Sequence, residues 1–280
     1  MNRFLKLVNF ELNRFSKIYF GLIILVSLLQ LTGVWYVFHK DLGIVKNDLQ
    51  NGMSLMDYVK NHGPIDFQTV ALSTFFLFPI LLAVATLLIY VFLIWYRDWF
   101  GKNLFSYRLF MLPSNRMSIY LAKATTILLL VFGMIALQML LIPLEVLIYK
   151  SILPTELQLP FSILDINSIN SRNAFLSLII PKDFIQFMLS YGLGFISLLV
   201  IFTGILLERS FRWKGIILGI IYFGFMIALF VCPIYINQSV VLNGYLYPSE
   251  LLIIEIIDCL LIGALSIWIS KWLLNNKVGV

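Results

Sequence analysis

Three carboxylates, Glu145, Glu255 and Asp258, stand inside stretches that are otherwise almost wholly apolar. An ionisable group in such a stretch is expensive to keep, which makes each a candidate for binding cationic groups or for gating a path. Glu255 and Asp258 are three residues apart and share one face of a helix. Glu145 lies five residues before Lys150, and Glu255 five after Glu250. At about 1.5 Å of rise per residue, both sit roughly 7–8 Å inside the ends of their segments. Acids at that matching depth either face a common outer opening or reach the interface and bond to groups within the bundle. Other reactive side chains are sparse. The two histidines, His39 and His62, fall in one polar stretch. The cysteines Cys232 and Cys259 lack metal-ligand spacing and read as buried, inert packing groups. No His-Glu-x-x-His, Gly-x-Ser-x-Gly or Gly-x-x-x-x-Gly-Lys-Ser/Thr occurs. No catalytic residue, metal site or cofactor is therefore assigned to this chain.

The elements that must hold these acids are set by composition. Of 280 residues, 61% are hydrophobic and 12% charged, where soluble domains run at about 45–50% and about 25%. Six segments, 18–38, 70–96, 124–149, 184–207, 215–236 and 251–269, approach or exceed the roughly 20 apolar residues that cross a bilayer core. None shows the alternation of a barrel strand, so an all-α membrane protein is predicted, one transmembrane domain over residues 1–280. Fourteen of the 20 basic residues fall on the side that holds both termini, against three acids; the other side has six basic residues and eight acids. Positive charge marks the cytoplasmic side, so both termini are placed inside. The net charge of +6 reflects this asymmetry rather than nucleic-acid binding.

Residues 1–17 put Phe4, Leu5, Val8, Leu12 and Phe15 on one face and Arg3, Lys6, Asn9, Asn13, Arg14 and Lys17 on the other. That pattern suits a helix lying in the interface plane against anionic lipid. Residues 39–69 read as a solvated outer loop in which Leu42, Val45, Leu49 and Met56 could line a short helix. Residues 150–183 read as a segment resting on the outer interface. Pro79, Pro143 and Pro233 fall inside spans, where each removes a backbone donor. Gly215 and Gly219 give the fifth span a small-residue stripe for close helix packing.

The only large cytoplasmic feature is the loop 97–123, RDWFGKNLFSYRLFMLPSNRMSIYLAK. It mixes Arg97, Lys102, Arg108, Arg116 and Lys123 with Trp99, Phe100, Phe105, Tyr107 and Phe110. Pro113 cannot continue a helix, and Ser114 or Asn115 can cap a new one that runs into the third span. Apolar residues exposed on such a loop point to a protein partner.

Leu112-Pro113-Ser114-Asn115-Arg116 followed by Lys123 resembles the L-P-x-x-R pattern of ABC-2-type transporter permeases. Glu11-Leu12-Asn13-Arg14 is similar to the E-x-x-R of their elbow helix. Six spans, both termini inside and a cytoplasmic segment between spans two and three agree with that family along the whole chain. The resemblance implies that residues 97–123, with Phe105, Arg108, Leu112, Pro113, Arg116 and Lys123, dock on a separate ATP-binding subunit that holds ATP and Mg²⁺. It implies a homo- or heterodimer of permease subunits in a bacterial cytoplasmic membrane, and a face for Gly215 and Gly219 at that dimer interface. It also implies an outer gate near Glu255 and Asp258, with residues 237–250 as the segment available for a re-entrant hairpin. The overall look is closest to small Gram-positive permeases that export peptides or confer resistance to them, so a peptide or amphipathic molecule is the implied substrate. The alternative is a membrane scaffold or sensor that moves nothing and recruits a cytoplasmic protein through the same loop.

Overall fold

The computed structural model describes residues 3–100, 115–159, 174–238 and 246–277. Phe105, Arg108, Leu112 and Pro113 lie outside these, as do residues 239–245 of the 237–250 connection. The described residues form nine α-helices: α1 Arg3–Gln50, α2 Leu55–His62, α3 Phe67–Ala71, α4 Thr74–Phe100, α5 Arg116–Ile152, α6 Ala174–Ile179, α7 Phe184–Phe211, α8 Trp213–Gln238 and α9 Pro248–Asn276. Among them there is no strand, only a single β-bridge between Ile65 and Gln158. Six helices, α1, α4, α5, α7, α8 and α9, are long and apolar enough to cross a membrane.

The first span differs from expectation. α1 runs unbroken for 48 residues, about 72 Å at about 1.5 Å per residue, so residues 3–17 are not a separate elbow and the predicted loop 39–69 is helical as far as Gln50. Its buried side chains, Val8, Glu11, Phe15, Leu22, Val26, Gln30, Val34, Phe38 and Val45, follow one another in steps of three, four or seven. That is one continuous helical stripe with no change of face at residue 17. Val8 and Phe15 turn inward while Arg3, Lys6, Asn9, Asn13 and Lys17 stay exposed, as the pattern predicts; Leu5 departs from it by staying exposed, and Glu11 is buried beside the apolar stripe. The helix stops at Gly52, whose φ of +97° is left-handed, and the Met53 N–H bonds back to the Asp48 carbonyl at 3.2 Å.

The chain divides into two compact units. One comprises Leu12–Leu88 and Leu129–Phe187. Its core joins Val34 and Phe38 of α1, Phe76 and Ile80 of α4, and Ile142, Val146 and Tyr149 of α5, with Phe67 and Leu176 from α3 and α6. The Tyr149 ring packs 5.1 Å from Phe38 and 5.9 Å from Phe67. Its hydroxyl lies 2.8 Å from the Ile65 carbonyl and 3.1 Å from that of Leu159, fastening the β-bridge to α5. Pro79 leaves the Phe75 carbonyl without its helical donor. Gly33 packs at that spot: a Cβ there would lie 3.0 Å from the Phe75 Cβ and 3.2 Å from its carbonyl oxygen.

The other unit comprises Met1–Glu11, Ile89–Leu128 and Met188–Val280. Tyr222 and Met226 of α8 pack with Ile262 of α9, beside Ile196 and Val200 of α7. Buried hydroxyls stitch the same helices: Tyr222 Oη lies 2.7 Å from Ser266 Oγ, and Thr203 Oγ1 lies 2.9 Å from Ser270 Oγ. The Gly215–Gly219 stripe meets α7 of its own chain. A Cβ on Gly215 would fall 2.2 Å from the Leu207 carbonyl oxygen, and one on Gly219 would fall 3.7 Å from that of Gly204. The small residues thus serve the α7–α8 hairpin, turned by Arg212 at φ 53°. Cys232 is exposed and Cys259 half-buried, which corrects the expectation of two buried thiols. α8 is apolar on every side, so apolarity does not reveal which face turns inward.

Candidate functional site

The last turns of α4, the first turns of α5 and the start of α1 converge on one buried cation. Lys123 is 1% exposed. Its ammonium donates to Glu11 Oε1 at 2.6 Å, to Asp98 Oδ2 at 2.5 Å and to the Ile94 carbonyl at 2.9 Å. An ammonium has three protons, and all three are used. Arg97 donates from Nη2 to the other Glu11 oxygen at 2.8 Å. In these three ion pairs two cations meet two carboxylates. The Trp95 ring lies 5.3 Å from the ammonium and makes an edge contact with Phe202 at 5.5 Å. Removing one member of such a buried set strands its partners, at a cost of about 3–5 kcal/mol.

The surroundings of α4 and α5 extend this anchoring. Tyr96 donates its hydroxyl to the Glu208 carboxylate. The Arg209 guanidinium lies 5.1 Å from the Tyr96 ring and 4.9 Å from that of Trp99, joining the end of α4 to the end of α7. Asn115 starts α5, its side chain accepting from the Met117 N–H at 3.0 Å, as the sequence proposed. Arg116 reaches from Nη1 to the Leu274 carbonyl of α9 at 2.5 Å. Of the predicted docking residues, Arg116 and Lys123 are therefore built into the helical frame flanking residues 101–114. Glu11, predicted as an elbow residue, belongs to the Lys123 cluster. Arg14 lies half-exposed in the other unit.

The intramembrane acids differ from this cluster. Glu145 is fully buried in its unit, and among the described residues neither carboxylate oxygen has a hydrogen-bond partner. Gln30 of α1, also fully buried, stands beside it, yet both its amide atoms lack a partner in hydrogen-bonding geometry. Gln138, two helical turns earlier on α5, is buried with an unpartnered Nε2. Glu255 and Asp258 lie in the other unit, half-buried. The Glu255 oxygens are shielded without a partner, with Asp258 as the like charge beside them. At the α8–α9 connection, the Leu246 N–H donates to Asn237 Oδ1 at 3.0 Å.

Sequence reasoning did not single out Asp98, Gln30, Gln138 or the hydroxyl ladder of Thr203, Tyr222, Ser266 and Ser270. A signal existed for the two amides, since a glutamine inside a span is nearly as conspicuous as an acid. The pairing of Asp98 with Lys123 carries no sequence signature, because it depends on how α4 and α5 pack.

Six apolar helices with buried, paired charges define a multi-pass membrane protein. Comparison with family models, with curated proteins and with solved structures finds no match for this chain.

Proposed function

We propose that this chain is the membrane-spanning subunit of an ATP-driven exporter in a bacterial cytoplasmic membrane, with ATP and Mg²⁺ bound by a separate subunit and a second permease chain completing the path. The supporting observation is the buried cluster of Glu11, Arg97, Asp98 and Lys123. It clamps the helices that flank residues 101–114, so force applied to that segment would move α4, α5 and the start of α1 together rather than bend one end. A lipid anchor needs no such rigid mounting; a lever does. The L-P-x-x-R resemblance adds to this, placing Phe105, Arg108, Leu112 and Pro113 at the contact. Glu255 and Asp258 are proposed to line the outer part of the path, and a peptide or amphipathic molecule is the proposed cargo.

The test is purification of the tagged chain from detergent, wild type beside an Arg108→Glu, Leu112→Asp double variant. Wild type is expected to bring down a protein that hydrolyses ATP, and the variant to lose it while remaining folded. A folded wild-type chain that co-purifies with no ATPase would overturn the exporter in favour of the scaffold.

A further inference from the structure

Four polar atoms that should not be idle face one another in the unit containing α1 and most of α5: Gln30 Nε2 and Oε1, and Glu145 Oε1 and Oε2. A buried polar atom without a partner is costly, and a buried carboxylate without a counter-charge far more so. Among the described residues no counter-charge is at hand. Residues 18–38 of α1, 74–88 of α4, and α3 and α6 contain no acidic or basic side chain. Asp66, just before α3, is engaged in capping it through the Gln68 N–H at 2.9 Å, and Tyr149, one turn past Glu145, spends its hydroxyl on Ile65 and Leu159. Lys150 is exposed.

One added proton resolves all four atoms at once. A carboxylic acid donates its O–H to an amide oxygen and accepts from the amide N–H, so that acid and amide close a two-bond ring. A carboxylate cannot do this, because its oxygen would face the amide oxygen with no proton between them. A bare metal cation fits poorly. Hard cations take about six oxygen ligands, whereas Gln30 and Glu145 together offer three side-chain oxygens and the surrounding backbone is committed to helices. We propose that Glu145 and Gln30 form a proton-binding site that clasps α1 to α5 as an acid–amide ring. Loss of the proton opens the clasp, so the site links proton occupancy to separation of these two helices. This does not rest on the exporter proposal and needs no partner protein.

The test is infrared spectroscopy of the full-length purified chain in detergent and D₂O at neutral pH, comparing wild type, Glu145→Gln and Gln30→Leu. The wild type is expected to show a carboxylic-acid C=O band that Glu145→Gln lacks and that saturating sodium chloride leaves in place. Gln30→Leu, which removes the amide partner, is expected to shift that band to higher wavenumber. This shift stands as the test should Glu145→Gln not fold. A carboxylate band at Glu145, an acid band abolished by sodium, or one unmoved by Gln30→Leu would each overturn the proposal.

Discussion

Lys123 and Glu145 are both shut away from solvent in their respective units, yet their surroundings are opposite. Every proton of the Lys123 ammonium has an acceptor, and two of the three acceptors are carboxylates. Among the described residues neither oxygen of Glu145 has a partner in hydrogen-bonding geometry, and the neighbouring Gln30 amide is equally unpartnered. Buried polar networks that are fully satisfied rigidify a structure, whereas partly satisfied ones mark places where something else must bind or move. The contrast separates a mounting from a working site: substitutions at the first should cost folded protein, and at the second, function.

The largest expected effect is at Lys123. Lys123→Met leaves Glu11 and Asp98 facing each other in a dry site, and a loss of about 3–5 kcal/mol is expected, read as a fall in melting temperature and in monodisperse yield from detergent. Glu11→Gln should do less, about 1–3 kcal/mol, because the amide oxygen still accepts from Lys123 and the partly exposed Arg97 can turn to water. If the two variants melt alike, Lys123 is not the member on which the cluster chiefly depends. Ser270→Ala, which removes one rung of the hydroxyl ladder to Thr203, is expected to cost about 0.6 kcal/mol, typical of a hydrogen bond between membrane helices. Glu145→Gln should be the mildest, under about 0.5 kcal/mol, since an amide can pair with Gln30 as an acid does. A melting temperature that falls as far as that of Lys123→Met would place Glu145 among the structural charges and dissolve the contrast.

The six spans were legible because length and apolarity are enough to define a membrane helix, and most of their predicted ends fall within about four residues of the observed ones; the exceptions are both ends of α1, the start of α5 at Arg116 and the end of α9 at Asn276. In α1 the amphipathic pattern of residues 1–17 was read as a turn into the interface. The counter-signal was in the sequence too: no proline occurs before Pro64, and Leu42, Val45 and Leu49 continue the same stripe beyond the apolar run. Inward faces were not legible. Where a helix is apolar on all sides, as α8 is, only packing decides that Gly215 meets α7 and that Cys232 points outward. Lys123 and Glu11 could each be picked out, but the bond between residues 112 positions apart emerges only once three helices converge.

The account turns on what touches the segment between α4 and α5. A photo-reactive phenylalanine analogue at Phe105, irradiated in intact cells and followed by mass spectrometry of the adduct, reads that contact directly. The account predicts an adduct with a nucleotide-binding ATPase subunit that disappears in the Arg108→Glu, Leu112→Asp background. Adducts only with lipid, or with a protein that binds no nucleotide, would contradict it.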